Sequence, residues 1–121
     1  MREIIYKGEA RPIHFGLRQF NEIVKEQNLD FQTTVSTTEL LGSFDSIVSF
    51  AIKGLNNGAR RSGIKKRYDE DEVWDMFEEE PKLLSEISAI VIESIQVISN
   101  KLGDIAPNQT PTEIQENNPA A

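Results

Sequence analysis

The stretch KLLSEISAIVIESIQVISNKL, residues 82–102, places the tightest limit on the fold. At about 100° per residue, Leu83, Leu84, Ile87, Ile90, Val91, Ile92, Ile95, Val97, Ile98 and Leu102 spread over more than half of a helix circumference. Only Glu86, Glu93, Gln96 and Asn100 mark a polar side. A surface helix usually carries an apolar arc of about 100° or a little more. Two arrangements satisfy a helix with a wider arc. Either it is the central helix of a domain, packed on several sides, or part of its arc meets another copy of the chain or a partner chain. At 121 residues the chain has the size of one domain with a modest core.

The remaining elements supply packing surfaces for that helix. Arg2–Lys7 and Ala10–Phe15 are short β-branched and aromatic runs. They read as a hairpin over 2–15, with Gly8 able to take the positive φ of a tight turn. Pro12 has no N–H to give a ladder, which puts the second strand at an edge. A lone two-stranded hairpin is marginal, so this one must pack on helices. Leu17, Phe20, Ile23 and Val24 give a first amphipathic helix over about 16–27. Ser36-Thr37-Thr38-Glu39 has the form of a capping box. Behind it, Leu40, Leu41, Phe44, Ile47, Val48, Ala51, Ile52 and Leu55 form one stripe, giving a helix over 37–61. Gly54 and Gly58 lie late in it, where they read as sites of close backbone packing or fraying. Gly63 is placed to end this helix by a left-handed cap. Asp69 caps a third helix over 69–80, and Pro81 opens a fourth over 81–102, stopped by Gly103. Residues 104–121 hold three prolines and no aromatic residue, and read as a disordered tail. The expected fold class is α+β, mostly α. A short N-terminal hairpin packs on about four helices in a single domain over 1–103.

Composition narrows the chemistry. The formal charge is −7 and the pI is about 4.7, which counts against a dedicated nucleic-acid binder. Against that stands a basic corner, Arg60, Arg61, Lys65, Lys66 and Arg67, within eight positions. It reads either as a phosphate-backbone footprint or as a helix C-terminus plus a solvated loop. The absence of cysteine excludes disulfides, zinc ribbons and thiol nucleophiles. His14, the single histidine, reads as structural. The carboxylates of Asp69–Glu72 and Glu78–Glu80 lack the alternating ligands and central glycine of an EF-hand loop. A capped acidic helix accounts for them. No catalytic residue, cofactor or metal site is assigned, and the expectation is a non-enzyme. MREIIYKGEARP has no apolar core of a signal peptide, and no stretch is read as the roughly 20 apolar residues of a membrane span. The expected setting is soluble and cytosolic, with no membrane and no nucleic acid among the partners. Trp74, Met76 and Phe77 on the acidic third helix, with Ile92 and Ile95 on the last, read either as core or as anchors for a partner.

The order of segments carries a resemblance. A hairpin reaching PIHFGLRQFNEI, then FDSIVSFAIKGLNNGARRSG, then YDEDEVWDMFEEEPKLLSEI, resembles the tail assembly chaperones of long-tailed bacteriophages and prophages. The matching positions are His14, Phe15, Gly16 and Leu17; then Ala51, Leu55, Gly58, Ala59 and Arg60; then Asp71, Glu72, Val73, Asp75 and Met76. The resemblance covers about Glu3 to Leu102. It implies a non-enzymatic protein in the cytoplasm of the bacterial host that coats the tape measure protein, keeps it soluble and helps recruit tail tube subunits. It also implies absence from the mature virion, and a frameshifted C-terminal extension in many relatives. The residues themselves leave a homo-oligomer open.

Two alternatives stand beside this reading. One is a small phage structural protein, such as a head–tail connector or tail completion subunit, of similar size and charge. The other is a small nucleic-acid-binding regulator acting through the basic corner.

Overall fold

The computed structural model describes residues 1–26 and 43–105, with side chains through Lys101. The chain is α+β and mostly α: an N-terminal antiparallel hairpin followed, among the described residues, by four helices. Strand β1 is Arg2–Tyr6 and β2 is Glu9–Ile13, paired so that Arg2 faces Ile13, Ile4 faces Arg11 and Tyr6 faces Glu9. The turn between them is Lys7-Gly8, with φ of 53° and 76°. Two successive positive φ angles make the hairpin twist match its strands, and only Gly8 adopts that region freely. Ile4 and Tyr6 point inward while Ile5 is exposed, the alternation of a half-buried strand.

Strand β2 ends at Ile13, two residues short of the expected Phe15. The reason is a change of partner: the His14 N–H leaves the hairpin and donates to the Gly54 carbonyl of helix α2 (Phe44–Arg61) at 3.0 Å. The close approach depends on two residues without side chains. A Cβ at Gly58 would lie 2.4 Å from the Pro12 carbonyl oxygen, and one at Gly54 would lie 2.4 Å from the Phe15 ring. The glycines are sites of close packing, as one of the two sequence readings has it. Helix α1 (Leu17–Glu26) then folds across α2, and Phe15, Phe20 and Phe50 meet with ring centroids 5.5–6.2 Å apart. Such tilted contacts suit the aromatic quadrupole.

The helix termini follow their caps. Helix α2 begins at Phe44 rather than Thr37, because the Ser43 side chain accepts the Ser46 N–H and closes the first turn there. The capping box at 36–39 and Leu40 and Leu41 lie outside the described residues. At the other end, Gly63 has a φ of 73°. Its N–H reaches the Arg60 carbonyl at 3.2 Å, and the Ile64 N–H reaches that of Ala59 at 2.8 Å, completing a Schellman motif. Helix α3 (Glu70–Glu79) starts where Asp69 Oδ1 accepts the Glu72 N–H at 2.9 Å.

Helix α4 spans Lys82–Ile105 and does not stop at Gly103. One interior glycine costs only about 1 kcal/mol and need not end a helix. Leu83, Ile87, Ile90 and Val91 are buried along one stripe, and α4 meets α2, α3 and β1. The rest of its arc is covered only in part: Ile92 and Ile95 are half-buried, and Val97 is exposed. By length and composition alone, Lys82–Lys101 is apolar enough to cross a membrane, with a mean hydropathy of 1.3, contrary to the sequence reading. Here its N-terminal half completes the core. The proposed tail begins within this helix at Asp104, and residues 106–121 lie outside the described ones.

Candidate functional site

The expected anchor set does not form one surface. Met76 and Phe77 are core residues, 0% and 5% exposed. With Val73 they occupy i, i+3 and i+4 of α3, one stripe facing inward. Trp74 flanks that stripe, half-buried against the core, and Ile95 packs there from α4. Ile92 is half-buried. Of the five, Trp74, Ile92 and Ile95 keep accessible surface, and none of them lines a groove described below.

The groove that does exist lies elsewhere, between the turn from β2 into α1 and the C-terminal half of α4. It encloses about 450 Å³, with Phe15, Leu17, Val97 and Ile98 as its apolar lining and His14, Glu93 and Lys101 at its polar margins. Leu17 and Val97 are about half exposed, 54% and 49%. The groove exists because Gly16 caps α1. Its carbonyl accepts the Gln19 and Phe20 N–H groups at 3.1 and 3.3 Å, and Gln19 Oε1 accepts the Gly16 N–H at 2.8 Å. This fixes Leu17 at the first helical position, pointing outward. Val97 lies about 140° around the helix from Ile92 at about 100° per residue, so the two serve different sides of α4. An apolar residue straight after a glycine cap was the available sequence signal for this site.

Polar contacts anchor the groove wall. The Asn57 amide donates to the His14 carbonyl at 3.1 Å and to Gln19 Oε1 at 3.2 Å, tying α2 to the β2–α1 turn. Burial lowers the His14 pKa, with further lowering from Arg61, the N-terminus and Arg60. The neutral form of His14 is thus favoured at the groove edge, beyond the end of its strand. Among the described residues, no three His, Asp or Glu side chains converge as metal ligands.

The basic corner divides. Arg60 and Arg67 line a cleft between α1 and α2 together with Arg18 and Lys53. Lys66 turns the other way, pairing with Glu72 at 2.7 Å and lying 5.1 Å from the centre of the Tyr68 ring. Arg61 and Lys65 are exposed and belong to neither group. Tyr68, the aromatic among these cations, is buried rather than offered for stacking. Asn56 holds it by donating to its carbonyl at 3.1 Å and accepting its N–H at 2.7 Å. A five-cation footprint is therefore not what the fold builds.

A second polar cluster joins the hairpin to α3. The Tyr6 hydroxyl donates to Glu79 Oε1 at 2.5 Å, Lys7 Nζ pairs with the same carboxylate at 3.4 Å, and the Lys7 N–H donates to Glu80 at 3.2 Å. The hydrogen bond from Tyr6 lowers the Glu79 pKa and raises that of Tyr6. On the inner face, the Arg11 guanidinium lies 5.3 Å from the Tyr6 ring centre and donates to the Tyr68 hydroxyl at 3.2 Å. These contacts hold the hairpin to the helices and present no reacting pair. Comparison of the chain with models of known families, with curated proteins and with solved structures finds no match.

Proposed function

We propose that the protein is a tail assembly chaperone of a long-tailed phage or prophage. It binds the tape measure protein, keeps it soluble and helps recruit tail tube subunits. The observation that carries the reading is the apolar groove of about 450 Å³ with Leu17 and Val97 half exposed at its mouth. An amphipathic helix buries its apolar face in a groove of this kind through anchors at i, i+3, i+4 and i+7. Tape measure proteins are long apolar helices, so several copies of this chain would each take one turn or two, and many weak contacts add up through avidity. The segment order that resembles this family supports the same role, as does the placement of His14, Phe15, Gly16 and Leu17 together at the groove. The acid balance of the surface fits a protein that stays soluble while carrying apolar cargo.

Co-expression with the cognate tape measure protein tests the role. Soluble yield of the tape measure protein rises with the wild-type chain and falls back with Val97→Asp, a change at an exposed position. Unchanged solubility with the wild-type chain would sink the proposal. Mass spectrometry of purified virions separates the chaperone from a structural subunit, which would be present at stoichiometric copy number.

A further inference from the structure

We propose that the cleft between α1 and the C-terminal half of α2 binds a phosphate group, gripped between Arg60 and Arg67. The cleft encloses about 330 Å³, and its lining includes the cations Arg18, Lys53, Arg60 and Arg67 against the single carboxylate of Glu22. In a chain of net charge −7 this is a local reversal of the molecular field.

The two ends of the cleft differ. At one, Glu22 pairs with Arg18 at 3.3 Å and with Lys53 at 3.6 Å, and Glu26 pairs with Lys53 at 2.8 Å. Those cations are already balanced. At the other, neither Arg60 nor Arg67 has a carboxylate partner among the described residues. Arg60 is nevertheless held in place, donating to Asn57 Oδ1 at 2.7 Å. Asn57 is itself only 7% exposed, and its amide nitrogen is committed to the His14 carbonyl and Gln19. Its oxygen therefore has a fixed direction, and the guanidinium it holds is preorganised with further N–H groups free.

Two guanidinium groups, one fixed and one arriving from the loop before α3, match a dianion. Their planar forks meet phosphate oxygens two at a time. The cleft volume leaves room for a small organic body beyond the phosphate. A nucleic-acid strand fits less well, because Arg61, Lys65 and Lys66 do not line the cleft. This inference is independent of the chaperone reading.

Isothermal titration of the full chain at low salt, in a phosphate-free buffer, tests it with inorganic phosphate and with adenosine monophosphate. The proposal expects saturable one-to-one binding, weakened about tenfold by Arg67→Gln, the loss typical of a charged hydrogen-bonding partner. Lys65→Gln makes the same charge change outside the cleft and should alter affinity less than about twofold. Arg67 is exposed, so an unchanged circular-dichroism melt confirms that its variant is folded. Tighter binding of the nucleotide assigns an organic phosphate ester, and equal binding assigns free phosphate. The proposal is overturned by no saturation up to about 10 mM, by equal weakening in the two variants, or by an oligonucleotide that outcompetes the nucleotide and loses affinity equally in both.

Discussion

At Gly58 the absence of a single methyl group sets the position of the hairpin. A Cβ there would sit 2.4 Å from the Pro12 carbonyl oxygen and 2.7 Å from the Ile13 nitrogen, both backbone atoms. Backbone cannot swing aside, so Gly58→Ala must push β2 off α2. Alanine gains about 1 kcal/mol in helix propensity, but overpacking and the lost contact exceed it. We expect a net loss of at least about 2 kcal/mol in denaturant unfolding. At Gly54 the obstacles are the Phe15 ring and Ile13 Cγ1, side chains with some freedom, so Gly54→Ala should cost less. Equal or greater stability of Gly58→Ala would contradict the packing described. Titration gives a second test. His14 has a lowered pKa in the fold, so its contribution is fully present above the ordinary histidine value of about 6.5 and is lost as pH falls below it. Glu79 is also lowered, and its contribution is lost further down, as pH falls below about 4.3. In melting temperature against pH, His14→Gln should flatten the upper part of the acid limb and Glu79→Gln the lower part.

Among the elements, α2 shows how much the sequence reveals. Its stripe of Ile47, Val48, Ala51 and Leu55 is the buried face, and its end at Gly63 was legible from one glycine behind two arginines. Gly63 has open space around it and a φ of 73°, so Gly63→Ala should cost about 1 kcal/mol from backbone conformation alone, read by thermal unfolding. The start of α2 was not legible in the same way. Apolar spacing runs on backwards through Leu40 and Leu41, whereas Ser43 closes the first turn by a local hydrogen bond that periodicity does not register. In α3 the difficulty is different. Val73, Met76 and Phe77 share a face by spacing, but sequence cannot say whether that face meets this chain or another. The cleft cations come from α1, α2 and the loop before α3, so no window of sequence contains them together. The clamp of Asn56 on the Tyr68 backbone was equally hidden. Asn56→Ala leaves the N–H and carbonyl of a buried residue without that partner, and should cost about 1–3 kcal/mol. An unchanged melt would show that water replaces the clamp fully.

At the scale of the molecule, the core of the described residues is made by a hairpin and four helices, and α4 is shared between two tasks. Its first half closes the core through Leu83, Ile87, Ile90 and Val91, and its second half presents Val97 and Ile98 to the groove. The ion pair of Arg2 with Glu93 joins β1 to α4 near the groove, but both side chains are more than half exposed and contribute little. The proposed role places partner binding at the apolar groove rather than in electrostatic capture. Hydrogen–deuterium exchange of the chain, alone and with a helical fragment of the cognate tape measure protein, tests it most directly. Binding in the groove predicts new protection at residues 14–17 and 93–101, the segments that line it. Protection confined to Arg60–Arg67, or none at all, would contradict it.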